Sequence, residues 1–266
     1  MVLSACDMTC SPHDVTVLRE GTDMGRQTVF NIANTWIIRI FELYDGYRQP
    51  ASFISSVLTA LERAGLPCEH IRYHGVVPGT SFHYTVTKFV EGIPLTDELC
   101  CHPDVRLQIG ALYRALRLLE VPDTVGTVED YMRPRLLVLH EKLSTVSPAV
   151  LDKVGELASL ADFKGYQMVT SHCDLAPENI IARFEPSVSV SVIDWEFCAY
   201  VPEFRIELQL GSKVACKTWG AGFVHDLGYG PYPEKVVWTE SLCCVAEDYE
   251  GPDFEQNVLV ALSARL

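Results

Sequence analysis

Two runs of β-branched and apolar residues, VTVLRE (15–20) and TVFNIANTWIIRIF (28–41), flank the polar, glycine-bearing stretch GTDMGRQ. They predict paired strands around a loop. The period then changes. In PASFISSVLTALERAGLP the apolar positions Phe53, Ile54, Val57, Leu58 and Leu61 recur at helical spacing, and the pattern stops at Gly65 and Pro67. SFHYTVTKFVEGIPL alternates and breaks at Gly92, the signature of an inner strand running into a connector. Three helical patterns follow. PDVRLQIGALYRALRLLE places Leu107, Leu112, Leu116 and Leu119 broadly on one face, and TVEDYMRPRLLVLHEKL opens on Thr127 and Asp130 as a capping box. SPAVLDKVGELASLA starts with Ser147 as N-cap and Pro148 at the first helical position. Strand-rich segments followed by helix-rich ones predict an α+β chain with a small β-rich N-lobe and a larger, mainly helical C-lobe.

Inside the helical half the pattern reverts to strands. IIARF and VSVSVI are separated by Glu185-Pro186-Ser187, a turn-forming interruption, and predict a tight β-hairpin. If Phe184 and Val188 flank the turn, antiparallel register sets Asn179 opposite Ile193 and Asp194, roughly 5 Å across the ladder. Asp174 lies on the loop just before the first strand and reaches over the same mouth. An amide oxygen and a carboxylate are hard ligands of the kind Mg²⁺ accepts, with water and nucleotide phosphates completing the octahedron. Asp174 is left free to orient and deprotonate an acceptor hydroxyl, the task of a carboxylate in phosphoryl transfer. The bland alternative is that each of the three merely caps a turn.

The run His172-x-Asp174-Leu175-x-x-x-Asn179, followed by Ile193-Asp194-Trp195-Glu196, resembles the catalytic and metal-binding segments of the aminoglycoside phosphotransferase and choline kinase-like family. These are small-molecule relatives of the protein kinases. Protein kinases carry Arg before the catalytic Asp and Phe-Gly after the metal Asp, whereas this chain has Cys173 and Trp195-Glu196. The resemblance implies a protein-kinase-like two-lobe fold, with a nucleotide-binding lobe over residues 1–91 and a catalytic and substrate-binding lobe over 92–266. It implies Asp174 as catalytic base, Asn179 and Asp194 as Mg²⁺ ligands, and His172 as a buried brace of the loop. Cys173 stands where the family usually has Gly.

The same resemblance assigns ATP contacts to the first half. Gly21 and Gly25 would close a loop over the phosphates, and Arg39, in place of the usual Lys, would hold phosphate oxygens through a forked pair of hydrogen bonds. Lys88 and Val90 would face the adenine through their backbone. The helix over 50–67 occupies the place of the kinase regulatory helix, which usually offers the strand cation a Glu from its first half. Here the acid on that helix is Glu62, near its end, so the ion pair is absent or rebuilt.

Composition narrows the partners. A net charge of −14 argues against nucleic acid and suits a cationic small acceptor, although acidic surfaces also serve solubility alone. The ten cysteines show no CxxC pattern and read as free thiols of a cytoplasmic protein. No stretch approaches the ~20 apolar residues of a membrane span. The region after Asp194 holds Trp219, His225, Asp226, Tyr229, Tyr232, Trp238 and Glu240. These form either an acceptor pocket for an ammonium or a core with a solvated face. The leading expectation is an ATP- and Mg²⁺-dependent transfer of the γ-phosphoryl group to a hydroxyl of a small molecule. A kinase fold that binds without transferring phosphate, or one recruited to another reaction, are the alternatives.

Overall fold

A computed structural model describes residues 11–19, 27–42, 49–146, 148, 154, 162–211, 219, 223–227, 229–249 and 251–263. Gly21 and Gly25, and nearly all of the helix expected at 147–161, lie outside the described residues. Contacts divide the chain into two compact units, Met1–Leu119 with His172–Ala199, and Glu120–Ser171 with Tyr200–Leu266.

The first unit is built on five antiparallel strands, β1 (Val15–Arg19), β2 (Gln27–Ile32), β3 (Trp36–Glu42), β4 (Ile71–Val76) and β5 (Phe82–Lys88), in the order β1-β2-β3-β5-β4. The strand expected to lie inside the sheet, β5, pairs with β3 on one side and β4 on the other. Between β2 and β3 both Ala33 and Asn34 adopt positive φ (51° and 53°). That backbone suits a two-residue hairpin turn, and the Asn31 side chain accepts from the Asn34 amide to secure it. Ile32, Ile38, Val77, Tyr84 and Val86 form the core of the sheet.

Helix α1 (Ala51–Arg63) buries Ala51, Ile54, Val57, Leu58 and Leu61. It stops for a local reason. Gly65 turns left-handed (φ 67°), its amide donates to the Glu62 carbonyl, and the Leu66 amide donates back to Leu61. This paired closure satisfies the last carbonyls of the helix, and Pro67 then prevents its continuation.

The expected hairpin is present as β8 (Ile180–Arg183) and β9 (Ser189–Val192), with β6 (Ile93–Pro94) on the outer side of β8. Gly92, at φ 146°, is required there: a Cβ would lie 2.6 Å from the Ala182 carbonyl oxygen. After the short helix α2 (Asp97–Cys100), helix α3 (Pro103–Leu118) lends Gln108 to β9. Its amide donates to the Val188 carbonyl and accepts from the Val190 amide, as a neighbouring strand would. The buried face of α3 is Val105, Ile109, Leu112, Tyr113 and Leu116. Leu107 is 65% exposed, which corrects its expected place with Leu112 and Leu116. At about 100° per residue it lies roughly 200° from Val105.

The second unit is mainly helical, with α4 (Val128–Leu143), α5 (Glu203–Gly211), α6 (Phe223–Asp226), α7 (Glu234–Asp248) and α8 (Gly251–Ser263) beside a two-stranded sheet of β7 (Met168–Ser171) and β10 (Ala199–Pro202). The capping box of α4 is formed: the Thr127 hydroxyl accepts from the Asp130 amide, and the Asp130 carboxylate accepts from the Thr127 amide. Trp219, Tyr229 and Trp238 are buried core side chains, and Tyr232 meets Tyr166 and Phe204 in an edge-on aromatic cluster. Glu240, fully buried, accepts from Arg135 at 2.6 Å and from Arg205 at 2.8 Å, while Arg135 also reaches Glu247 at 2.6 Å. These residues serve the interior of the unit, so among the aromatics and acids expected to serve an acceptor or a core, the packed ones are core. The seven cysteines of the described residues are free thiols. Burial pushes the thiols of Cys68 and Cys100 up to about 12. Among the described residues no helix is long and apolar enough to cross a membrane.

The ion cluster of α4, α5 and α7 sets a stability test. Replacing Glu240 by Ala leaves Arg135 without its closest buried partner, and breaking one side of a buried pair costs about 3–5 kcal/mol. The Glu240→Ala protein is expected to unfold at markedly lower urea concentration than wild type, with an unchanged denaturant slope.

Candidate active site

The hairpin sets the geometry. Its register runs Ile180↔Val192, Ile181↔Ser191, Ala182↔Val190 and Arg183↔Ser189, and the Ile193 amide continues the ladder to the Asn179 carbonyl at 2.9 Å. Asn179 therefore faces Ile193, the residue before Asp194, at the mouth, as the turn at Glu185–Ser187 predicts. A short 3₁₀ turn, Pro177–Asn179, leads into β8 and holds the preceding loop against it.

Asp174 is exposed, whereas Asn179 is 8% exposed. The Asn179 amide nitrogen donates to the Asp174 carbonyl at 2.8 Å and to its carboxylate at 3.0 Å. One side chain thus fixes both the loop and the carboxylate it carries. Its own Oδ1 makes no hydrogen bond among the described residues.

His172 braces the loop from beneath. Fully buried, it accepts from the Asp174 amide at Nδ1 (3.2 Å) and donates from Nε2 to the Ile193 carbonyl (2.9 Å), with its ring edge-on to Trp195 at 4.7 Å. Those partners fix the neutral tautomer with the proton on Nε2. Burial lowers its pKa below the ordinary histidine value, against smaller opposing effects of the Ile193 carbonyl and the nearby carboxylates. Cys173 has φ 65° and Asp194 has φ 64°. Left-handed backbone at Cys173 explains why glycine suits that place, and strain of this kind gathers at functional sites.

Arg39 comes from the middle of β3, opposite Thr85 of β5, and is buried. Its Nη1 donates to Glu69 Oε2 at 2.8 Å and to the Thr87 hydroxyl at 3.3 Å. Its Nε lies 3.3 Å from Asp194 Oδ1, an ion pair without hydrogen-bond alignment, which leaves that buried oxygen with no hydrogen-bond donor. Burial works against the guanidinium's charge, but Glu69 first and Asp194 next more than restore it, and its pKa is raised.

Glu69 is the residue that the sequence pattern passed over. It is 4% exposed, and its Oε1 accepts from the Asp194 amide at 3.1 Å. Main chain delivers it: the Val192 amide donates to the Pro67 carbonyl and the Glu69 amide to the Val192 carbonyl, so Pro67–Glu69 runs along the free edge of β9. The one available signal was that Glu69 is the sole acid between Glu62 and Glu91. Glu62 itself is exposed and pairs with His70 at 2.8 Å. The ion pair expected as absent or rebuilt is thus rebuilt, from outside the helix.

Among the described residues neither Lys88 nor Val90 bonds to a member of this cluster. The Lys88 amide donates to the His70 carbonyl, the Phe89 amide to Thr35, and among the described residues Val90 makes no backbone hydrogen bond. No group of three or more His, Cys, Asp or Glu gathers as a metal site among the described residues. The candidate donors are instead one amide oxygen and one carboxylate, a set that fits Mg²⁺. The cluster also carries an imbalance, since Glu69 and Asp194 share the single guanidinium of Arg39. A divalent cation would offset the remaining formal charge.

The model of the phosphotransferase enzyme family, known by the letters APH, matches residues 15–203, more than half of the chain, and spans every residue of this cluster. The chain belongs to that family. Membership of the phosphotransferase family makes it a small-molecule kinase. Solved structures agree on the fold. The GDP and kanamycin complex of APH(2")-IIia superposes with a TM-score of 0.67 at 15% identity, covering 100% of this chain and 97% of that one. Plasmodium vivax ethanolamine kinase gives 0.55 at 14%, covering 98% and 84%. Amicoumacin kinase hAmiN with AMP-PNP and Ca²⁺ gives 0.59 at 13%, covering 99% and 91%. No curated protein matches the sequence. The phosphotransferase thus has the protein-kinase-like α+β fold.

The brace in this phosphotransferase predicts a pH dependence. Unfolded, His172 takes up a proton near 6.5, whereas folded it resists until lower pH, so the unfolded state binds more protons below that value. Stability is expected to be level above about pH 7.5 and to fall as pH drops through about 6.5, by at most about 1.4 kcal/mol per pH unit from this group. Melting temperatures measured from pH 5 to 8 should show a shallower slope in His172→Asn than in wild type.

Proposed function

We propose that the chain transfers the γ-phosphoryl group of ATP to a hydroxyl of a small molecule, with Mg²⁺ as its metal. The observation that carries this reading is the exposed carboxylate of Asp174 held by Asn179 beside Asp194, at the mouth of one hairpin. In this reading Asp174 orients the acceptor hydroxyl and receives its proton. Asn179 Oδ1 and the Asp194 carboxylate hold the metal, whose charge supplies neutralisation of the phosphates. Arg39, already charged and fixed, steadies phosphate oxygens, and the unpaired backbone of Val90 with that of Lys88 meets the adenine. Gly21 and Gly25 are proposed as the cover over the phosphates.

We assign nucleotide gripping to residues 1–91 and catalysis with acceptor binding to 92–266. This is a division of labour, and the packing units cut across it because 92–119 and 172–199 group with the first sheet. The acceptor is proposed to be a hydroxylated amine in the cytoplasm. A net charge of −14 favours a cation, and kanamycin and ethanolamine, named with two of the related folds, are amines. Against the alternative of an impaired kinase stands the Glu69 carboxylate, which meets Arg39 at 2.8 Å where the helix offers no acid.

Thermal shifts with ATP, with and without Mg²⁺, followed by turnover of labelled ATP on hydroxylated amines, test the reading. Nucleotide with Mg²⁺ is expected to raise the melting temperature, and Asp174→Ala to slow turnover by about 10²–10⁴-fold while still binding nucleotide. An absence of any stabilisation by nucleotide with Mg²⁺ would end this reading.

A further inference from the structure

We infer that Glu69 is the positioning carboxylate of the nucleotide grip, acting through two residues at once: it orients Arg39 with one oxygen and the backbone of Asp194 with the other. The inference rests on the phosphotransferase reading above and names a residue and a dependence that reading does not contain.

The two oxygens of Glu69 have separate jobs. Oε2 receives Nη1 of Arg39 at 2.8 Å, and Oε1 receives the Asp194 amide at 3.1 Å. Asp194 sits in left-handed backbone (φ 64°, ψ 57°), a conformation that a side-chain residue keeps only when its surroundings hold it. The amide bond to Glu69 is such a hold. With its backbone fixed there, the Asp194 carboxylate lies 3.3 Å from Arg39 Nε, and its chain neighbour Ile193 donates its amide to the Asn179 carbonyl. Partners that orient a metal ligand without touching the metal commonly matter 10–100-fold to metal affinity or activity.

Where Glu69 comes from matters as much as what it touches. A carboxylate carried on α1 would move with the helix, and helix position could then switch the grip on or off. Glu69 is instead tied by main-chain bonds to Val192, two residues before Asp194. The cation's partner and the metal ligand therefore belong to one strand edge, and the grip assembles with the hairpin. Glu62, the helix acid, is committed to His70 at the surface and takes no part.

The test uses the whole protein and Mn²⁺ with ADP, with free Mn²⁺ read by electron spin resonance, alongside KM for ATP and kcat. Glu69→Gln keeps an oxygen for the Asp194 amide but loses the charge opposite Arg39. It is expected to raise KM for ATP several-fold and to leave Mn²⁺ affinity within about threefold of wild type. Glu69→Ala loses both contacts and is expected to weaken Mn²⁺ binding by about tenfold or more. Because the charge acts through Arg39, Glu69→Gln should add less than about twofold to KM in an Arg39→Gln background. Glu62→Gln should match wild type throughout. Circular dichroism checks folding, and where Glu69→Ala does not fold, the isosteric Gln variant and the double variant carry the test. A Glu69→Gln protein that melts earlier but keeps its KM for ATP, or effects of Glu69→Gln and Arg39→Gln that multiply independently, overturn the inference alone. A wild type that binds no Mn²⁺ with ADP overturns the phosphotransferase reading, and this inference with it.

Discussion

The main-chain ladder of β9 is the constraint on which the rest of the site depends. On one side it pairs with β8 and so draws Asn179 up to Ile193 and Asp194. On the other it takes Pro67–Glu69, which brings a carboxylate in beside the same aspartate. Farther along that same edge, Gln108 of α3 donates to the Val188 carbonyl and accepts from the Val190 amide. Backbone hydrogen bonds are individually worth little net, but leaving buried ones unmade is costly, so a strand satisfied on both edges has little freedom to slip. A slip of one residue would turn Val190 and Val192 out of the core and remove Asn179 from Asp194. Packing of those valines and geometry of the mouth are therefore selected by the same register.

The second unit solves a different problem. Arg135, Arg205, Glu240 and Glu247 form an interior cluster with matched formal charge, two cations to two anions. Such clusters rarely add much over a well-packed apolar core, because desolvation consumes most of the Coulomb gain. What they impose is specificity, since any misplaced helix leaves a charge unpaired. With α4, α5 and α7 each contributing, the cluster fixes the mutual order of three helices that apolar contacts alone would hold less uniquely. The side chains of Tyr131 and Cys244 crowd the same cations, Tyr131 at 4.9 Å from the Arg135 guanidinium.

Much of this was legible from periodicity. The Glu185–Ser187 interruption between two β-branched runs fixed both the hairpin and its register, because a short turn leaves one antiparallel pairing that keeps Val190 and Val192 inward. Thr127 with Asp130 marked the start of α4 by a mechanism that depends on those two residues alone. Leu107 misled because leucine spacing was read instead of the complete apolar face, which Val105, Ile109 and Tyr113 define. The turn at Ala33–Asn34 carries no glycine, so a break between two strands was hidden in a continuous β-rich run. Glu69 was harder to see, for a deeper reason. Its neighbours are set by a pairing between residues more than a hundred apart, and IRYHGV, with its polar positions, does not announce the strand that follows it.

Arginine at position 39 and the vacant helix belong to one solution. An ammonium is a point charge that one carboxylate can satisfy, but a buried guanidinium presents a planar fork whose several donors all need partners. Arg39 finds Thr87 on β5 and, at the β9 edge, Glu69 and the charge of Asp194. A glutamate on α1 could have met one arm of that fork, and it would have had to cross the space that Ile54 and its neighbours fill in packing the helix on the sheet. Placing the acid on the β9 edge spares the helix a buried charge and lets its inner face stay wholly apolar. With the acid on the β9 edge, Arg39 keeps two hydrogen bonds from Nη1 and the nearby charge of Asp194, while α1 keeps its apolar inner face.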